Sequence, residues 1–372
     1  MNFLTRHKGK LVASFLITLG IWLTLHKGGL KIVPEGGDFH AVRWWVVPCY
    51  VVVLAAVAWF RSIRWRFLLR AVADVPKKRL LTVSMVGFAA ILVMPFRIGE
   101  FVRPYMLRAK QGTKPGEKPI SLAAATSSVV AERVIDGLYV SVVLALALLL
   151  VPTVDPLPDR VVGIPVSVKQ VRMSGYAMFG LFSVASVTIA TFYFARAWAH
   201  KTTLLVVGRV SPSLAERLAG MAEKLADGLH VFGRGRDLLG FLFETTIYWA
   251  LNACGMWLLA WGCGVAHADG SAVTFGEACA LMGMLSCAVI IPGPPGMLGV
   301  FQAGVYSGMT MYYPTNIVTG PGAAYVFLMY ASQIAFQLFA GALGLLLEGT
   351  SGLADLEDAP VAASEMRQKP DS

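Results

Sequence analysis

The stretch that decides the fold class is ISLAAATSSVVAERVIDGLYVSVVLALALLLV, residues 120–151. A membrane-spanning helix needs about 20 predominantly apolar residues, and this stretch exceeds that length. It also holds three charged side chains close together, Glu132, Arg133 and Asp136. Because charges at membrane depth are costly and usually functional, the stretch predicts both a membrane span and part of a polar site.

The composition extends this prediction to most of the chain. Of the 372 residues, 56% are hydrophobic and only 15% are charged, and the mean hydropathy is +0.64. A soluble domain has about 25% charged residues. We attribute the net charge of +10 to cytoplasmic loops, because no nucleic-acid-reading motif accompanies it. The five cysteines all lie in apolar segments without metal-binding spacing, so we expect no metal site and no cofactor.

The long apolar segments set the predicted domain organisation. Two of them, residues 80–110 and 275–312, are interrupted by Pro and Gly and cannot form single straight helices. We expect a membrane domain over residues 1–348, with a cytoplasmic amphipathic segment at 196–236 and a disordered tail at 349–372. Six further segments are long enough to cross a bilayer, and the first is expected to be retained rather than cleaved: 10–27, 44–65, 120–151, 174–197, 238–264 and 322–348.

The distribution of Lys and Arg indicates whether each interrupted segment crosses or turns back. If both segments leave on the side they entered, the large majority of the 32 Lys and Arg lie on one side, as the positive-inside rule requires. The sequence therefore predicts an all-α polytopic inner-membrane protein with about six spans, two opposed re-entrant helical hairpins and both termini cytoplasmic. The two halves then have the same element order in opposite orientations, an inverted-repeat-like arrangement whose broken segments mark the substrate site.

The candidate site combines charges from the first hairpin with those of the next span. Two hypotheses remain open for them: an ion-pair lattice that only holds the hairpin, or arginines left free to bind an anionic group such as phosphate. The candidate residues are Arg97, Glu100, Arg103, Glu132, Arg133 and Asp136.

The second hairpin differs because no Lys or Arg occurs between Arg236 and Arg367. Its turn, Pro292 to Gly299, predicts unwound backbone and a helix start whose amides point into the protein centre. A simple packing kink is the alternative, since Gly and Pro are common in membrane helices. The candidate residues of this turn are Pro292, Gly293, Pro295, Gly296 and Gly299.

Three of these motifs, in this order, resemble the flippase-like family that includes the transmembrane region of lysylphosphatidylglycerol synthases. Residues 95–103, PFRIGEFVR, resemble the P-x-R-x-G-E-x-x-R signature of that family. Residues 132–136, ERVID, are similar to its E-R-x-x-D element, and residues 292–299 to its Pro/Gly-rich motif. The resemblance covers roughly residues 1–350.

The resemblance implies a membrane domain that translocates lipid. In the synthases that domain is joined to a soluble aminoacyl-transferase domain, for which residues 349–372 are too short, so we do not expect this chain to make a lysyl-lipid. One departure concerns Gln302, a further candidate substrate-binding residue, which stands where the family pattern has a glutamate. This change disfavours a cationic lysylated substrate and favours an anionic or neutral lipid.

These observations lead to one main functional prediction and two alternatives. We expect a lipid flippase or transporter, not an enzyme, that carries a phospholipid or a polyprenyl-phosphate-type lipid, with Arg97 and Arg103 on the phosphate. A membrane-embedded lipid-linked group transferase is the first alternative. An ion-coupled transporter of a small anion is the second, and it differs only in whether the cavity opens to lipid.

Overall fold

The computed structural model describes residues 32–70, 72–94, 99–110, 119–161, 167–209, 211–213, 215–216, 219–220, 235–290 and 294–348. Several predictions fall outside these ranges: the first span at 10–27, Arg97, Pro292, Gly293 and the tail at 349–372. The part of the amphipathic segment from 221 to 234 lies outside them as well.

Long helices form where the sequence is apolar and has no proline beyond the first helical turn, a position at which proline is tolerated. The structure has no β-strand in its described part, which confirms the all-α fold class. Three helical stretches are long and apolar enough to cross a membrane: 46–69, 122–150 and 315–348. In chain order the helices are α1 (Val46–Ile63), α2 (Trp65–Leu69), α3 (Lys77–Val93), α4 (Val102–Lys110), α5 (Leu122–Leu150), α6 (Val168–Phe194), α7 (Arg196–Val207), α8 (Gly235–Gly262), α9 (Phe275–Ile290), α10 (Val300–Met309), α11 (Thr315–Thr319) and α12 (Pro321–Glu348).

Both interrupted segments fold back as antiparallel helical hairpins. In the first hairpin, α3 packs against α4, and Gly99 lies directly on the backbone of Ala90. In the second, α9 packs against α10, where Gly304 faces Ala288 and Gly308 faces Leu281. The missing side chains of these glycines allow the close backbone approach that each hairpin needs. The structure contains no membrane, so re-entry from one side stays a prediction.

The two halves of the chain pack in a reciprocal way. Helix α3 of the first hairpin packs against α12, the last helix of the second half. Helix α9 of the second hairpin packs against α5, the last long helix of the first hairpin's half. Between them, α1 and α8 form an antiparallel pair, in which Gly262 lies on Val46 and Gly255 on Tyr50. This exchange of partners is the packing expected of an inverted-repeat-like arrangement.

The two hairpins enter the protein from opposite ends and meet inside it. The start of α3 lies beside the end of α12, where the hydroxyl of Thr82 donates a hydrogen bond to the carboxylate of Glu348. The end of α10 lies at the other end of the molecule, where Val154 bonds to Met311. The turn of the second hairpin, Pro295–Met297, reaches α3. The described part of the protein therefore has a site near its middle to which both hairpins contribute.

A glycine substitution tests the contact between α3 and α12. A methyl group at Gly341 would overlap the Cβ of Ala89, whereas one at Gly180, on the exposed face of α6, meets nothing within 4 Å. Replacing a helical glycine by alanine gains about 1 kcal/mol of helix propensity. Overpacking costs about 1–3 kcal/mol. We expect Gly341→Ala to lower the thermal unfolding temperature in detergent and the matched control Gly180→Ala to raise it slightly. Equal unfolding temperatures for the two variants would contradict this packing.

Candidate functional site

The centre of the site is Arg64, a residue between α1 and α2 that is completely buried. Its two terminal nitrogens donate to the two carboxylate oxygens of Asp136, each at 2.6 Å. Nη2 also donates to Glu132 Oε1 at 3.0 Å, and Nη1 to Thr245 Oγ1 at 3.0 Å. This bidentate geometry uses the planar fork of arginine, and it neutralises charges that would be costly if unpaired.

Arg103 completes this charge cluster from the first hairpin. It is fully buried, and its Nη1 donates to Glu132 Oε2 at 3.2 Å. Its guanidinium lies 4.4 Å from the centre of the Trp65 ring and 4.9 Å from that of Phe88. The missing side chain of Gly87 leaves the space that Arg103 occupies. Glu132 is thus held between two arginines, and Arg103 lies behind the site rather than on its open side.

The open side is a cavity of about 640 Å³ between the two hairpins. Both halves of the chain line it, and most of its wall is apolar. Among the predicted site residues, Glu100, Arg133, Asp136 and Gly296 line the cavity, whereas Arg103 and Glu132 do not. Its other polar lining residues are Arg61, Thr126, Tyr248, Trp249, Asn252, Ser286, Tyr330, Gln333 and Gln337.

Two arginines on the cavity wall are only weakly held. Arg61 forms no hydrogen bond and no ion pair with any described residue, and its guanidinium lies 4.0 Å from the centre of the Phe88 ring. Arg133 approaches Glu100 and Asp136 only at 3.9 Å, and its Nε and Nη2 are buried without a hydrogen-bond partner among the described residues. Thr126 lies on the same face of α5 as Arg133, and its hydroxyl has no hydrogen-bond partner among the described residues. The wall therefore presents unused donors, which suit an anion.

The backbone in the turn of the second hairpin is not regularly helical, as the sequence predicts. Gly296 and Gly299 have φ angles of +69° and +87°, which glycine adopts without strain. The carbonyl of Gly296 accepts a hydrogen bond from Tyr330 at 3.0 Å. Gln302 is buried, and its Oε1 accepts a hydrogen bond from the amide of Gly299 at 2.6 Å. That amide at the start of α10 is therefore bonded within the hairpin. Pro295 begins the short helical turn before it.

Metal coordination finds little support in the described residues. They contain no group of three or more His, Cys, Asp or Glu side chains close enough to hold a metal ion. The carboxylates nearest the cavity instead face arginines.

Comparison with known proteins gives one significant match. The profile of the family described as lysylphosphatidylglycerol synthase TM region matches residues 11–341. The chain belongs to this family. Neither a curated protein nor a solved structure matches it significantly. As a member of the lysylphosphatidylglycerol synthase TM region family it is a multi-pass membrane protein.

Sequence reasoning missed two arginines of this family member's site, Arg61 and Arg64. Both lie at the end of the predicted span 44–65, where the basic run at 61–79 begins, and neither is among the candidate residues predicted from the sequence. The structure places them at the end of α1 and just after it, among aromatic residues. The sequence carries a signal for this, since Trp59, Phe60 and Trp65 flank them and guanidinium groups stack on aromatic rings. Arg64, rather than Arg133, is the main described partner of Asp136.

Removing Arg64 is expected to destabilise the protein strongly. The Arg64→Met variant leaves Asp136 buried without its bidentate partner, and breaking such a pair costs about 3–5 kcal/mol. The half-buried pair of Arg66 and Glu244, at 2.6 Å, provides the control. Because partly exposed pairs contribute about 0–1 kcal/mol, Arg66→Met should have a small effect. Thermal unfolding in detergent measures both.

The charge-balanced variant Arg64→Met/Asp136→Leu separates charge from packing. It removes the stranded carboxylate together with the arginine, so we expect it to be more stable than Arg64→Met alone. If the double variant unfolds at the same or a lower temperature, the buried charge is not the cause of the loss.

Proposed function

We propose that the protein is a flippase or transporter that moves a phospholipid or a polyprenyl-phosphate-type lipid across the inner membrane. The observation that carries the proposal is the unpaired guanidinium of Arg61 on the wall of a largely apolar cavity. A charge held in such a place without a carboxylate partner is costly, and it becomes favourable when an anionic group binds. The family assignment to a lipid-related membrane domain supports the same conclusion.

In this mechanism the phosphate binds between Arg61 and Arg133. Both line the cavity, and neither makes a short contact with a carboxylate. Arginine presents paired donors that match phosphate oxygens, and the hydroxyl of Thr126 adds a further donor. Arg61 thereby takes the role that the sequence assigned to Arg103, which supports the site from behind through Glu132. The mechanism includes no chemical step, so the lipid leaves unchanged.

Access from the side distinguishes a lipid from a small soluble anion. Val130 and Ile290 line the cavity and are exposed, at 37% and 43% of their surface. They come from α5 and α9, one from each half of the chain. Apolar side chains at the rim of a polar site suit a lipid whose acyl chains stay in the bilayer while the headgroup enters. This feature favours a lipid substrate over a soluble anion.

The reciprocal packing of the halves supports alternating access. In the proposed cycle the hairpins re-enter from opposite sides, and their relative movement opens the cavity first to one leaflet and then to the other. Cations of the described residues gather at the end where α3 begins, including Arg66, Arg70 and Lys77. We therefore place this end, with both termini, on the cytoplasmic side.

Lipid transfer by Arg61 variants tests the proposal. Arg61→Gln and Arg133→Gln proteins in liposomes should move a fluorescent anionic phospholipid between leaflets about tenfold more slowly than the parent, since a charge-assisted hydrogen bond contributes about 1.5–3 kcal/mol. Arg43→Gln is the matched control, because Arg43 stacks on Trp261, at 4.0 Å, outside the cavity. Folded Arg61→Gln and Arg133→Gln proteins that transfer lipid at the parent rate would contradict the proposal.

A further inference from the structure

The part of the cavity wall that α8 and α12 contribute carries three side-chain amides. Asn252 belongs to α8, and Gln333 and Gln337 lie one helical turn apart on α12. Gln333 and Gln337 share a small adjoining recess of about 50 Å³ with Arg61. A lipid phosphate at Arg61 would therefore extend its headgroup towards these amides.

The hydrogen bonds of these amides leave both acceptors and donors unused. Asn252 donates one N–H to the carbonyl of Tyr248 at 2.8 Å, and Gln333 donates one to the hydroxyl of Tyr50 at 2.9 Å. Each keeps its carbonyl oxygen and its second N–H, and Gln337 forms no hydrogen bond with any described residue. A hydroxyl group both donates and accepts, so it matches a primary amide, whereas an ammonium group only donates.

The charges around the cavity oppose an amine. Among the described residues the cluster has four arginines, Arg61, Arg64, Arg103 and Arg133, but only three carboxylates, Glu100, Glu132 and Asp136. A phosphodiester with one negative charge balances this cluster. A headgroup that also carried an ammonium would restore the excess positive charge, and Glu132 and Asp136 already accept hydrogen bonds from arginines.

We infer that the cavity selects a phosphodiester lipid whose headgroup carries hydroxyl groups and no amine. This inference rests on the proposed function and adds the headgroup class to it. Arg61 binds the phosphate, and Asn252, Gln333 and Gln337 bind the hydroxyls. Glycerol, inositol and sugar headgroups have this chemistry, and ethanolamine, serine and lysyl headgroups do not.

Lipid retention by the purified protein tests the inference directly. The protein is mixed in detergent with equal amounts of phosphatidylglycerol, phosphatidic acid and phosphatidylethanolamine, and the retained lipid is identified by native mass spectrometry. We expect phosphatidylglycerol to exceed phosphatidylethanolamine by about tenfold, and to exceed phosphatidic acid, which lacks the hydroxyls. Retention of phosphatidylethanolamine as strongly as phosphatidylglycerol would overturn the inference.

Amide variants then locate the selectivity. The Gln337→Met variant loses no hydrogen bond to a described residue, so it should fold normally and reduce the preference for phosphatidylglycerol over phosphatidic acid. The Asn252→Leu/Gln337→Met double variant should bring that ratio close to one and keep phosphatidic acid bound. The control is Gln170→Met, on the exposed first turn of α6 outside the cavity. An unchanged ratio in the folded double variant would overturn the inference.

Two further arms separate this inference from the proposed function. Soluble glycerophosphoglycerol should fail to displace phosphatidylglycerol at equal concentration; displacement would overturn the assignment to a lipid.

In liposomes, transfer of phosphatidylglycerol should be faster than transfer of phosphatidylethanolamine. Equal transfer rates would overturn the inference and leave the flippase function intact. Selective retention without any transfer would overturn the flippase function and leave the binding specificity intact.

Discussion

The bidentate contact between Arg64 and Asp136 is the interaction on which the rest of the structure depends. Each buried charge costs several kcal/mol to remove from water, and only close pairing with further hydrogen bonds offsets that cost. The contact joins α1 to α5, and the bond from Arg64 to Thr245 adds α8. Because α8 belongs to the second half of the chain, one arginine ties the two halves together at the depth of the cavity.

The same pairing determines which charges remain available to a ligand. Glu132 and Asp136 are occupied by Arg64 and Arg103, so the carboxylates have little capacity left for Arg61. The guanidinium of Arg61 instead stacks on the ring of Phe88. This cation–π interaction offsets only part of the desolvation cost of an unpaired charge. An arginine held in this way is preorganised, because the protein already bears its desolvation before an anion arrives. In a purely structural ion-pair lattice, an arginine that pairs with no carboxylate would only cost free energy.

The sequence was sufficient for the all-α fold class and named five of the seven charged residues that the described part of the structure brings together. Long apolar runs without an internal Pro/Gly interruption predict the spans, and the spacing of Glu132 and Asp136 places both on one face of α5. Arg61 and Arg64 were missed because a basic run at a helix end is typical of a cytoplasmic loop, and only the aromatic residues that flank them indicate burial instead. Nor does spacing reveal that Arg103 lies behind the cavity, since that depends on the contact between Gly87 and Arg103 across the first hairpin.

Both hairpins are pairs of antiparallel helices, but the first contains several Lys and Arg and the second contains none. The proposed alternating access gives a physical reason for this difference in charge. Gln302 bonds to an amide at the start of α10, so the second hairpin satisfies part of its own turn without an anion. Arg61, which we propose as the phosphate ligand, lies on neither hairpin but on α1, 6.0 Å from the ring of Tyr248 on α8. The α1–α8 pair contains one helix from each half, which is the position of the axis in an inverted repeat. A phosphate site near that axis would keep its geometry while the hairpins moved around it, as the proposed alternating access requires.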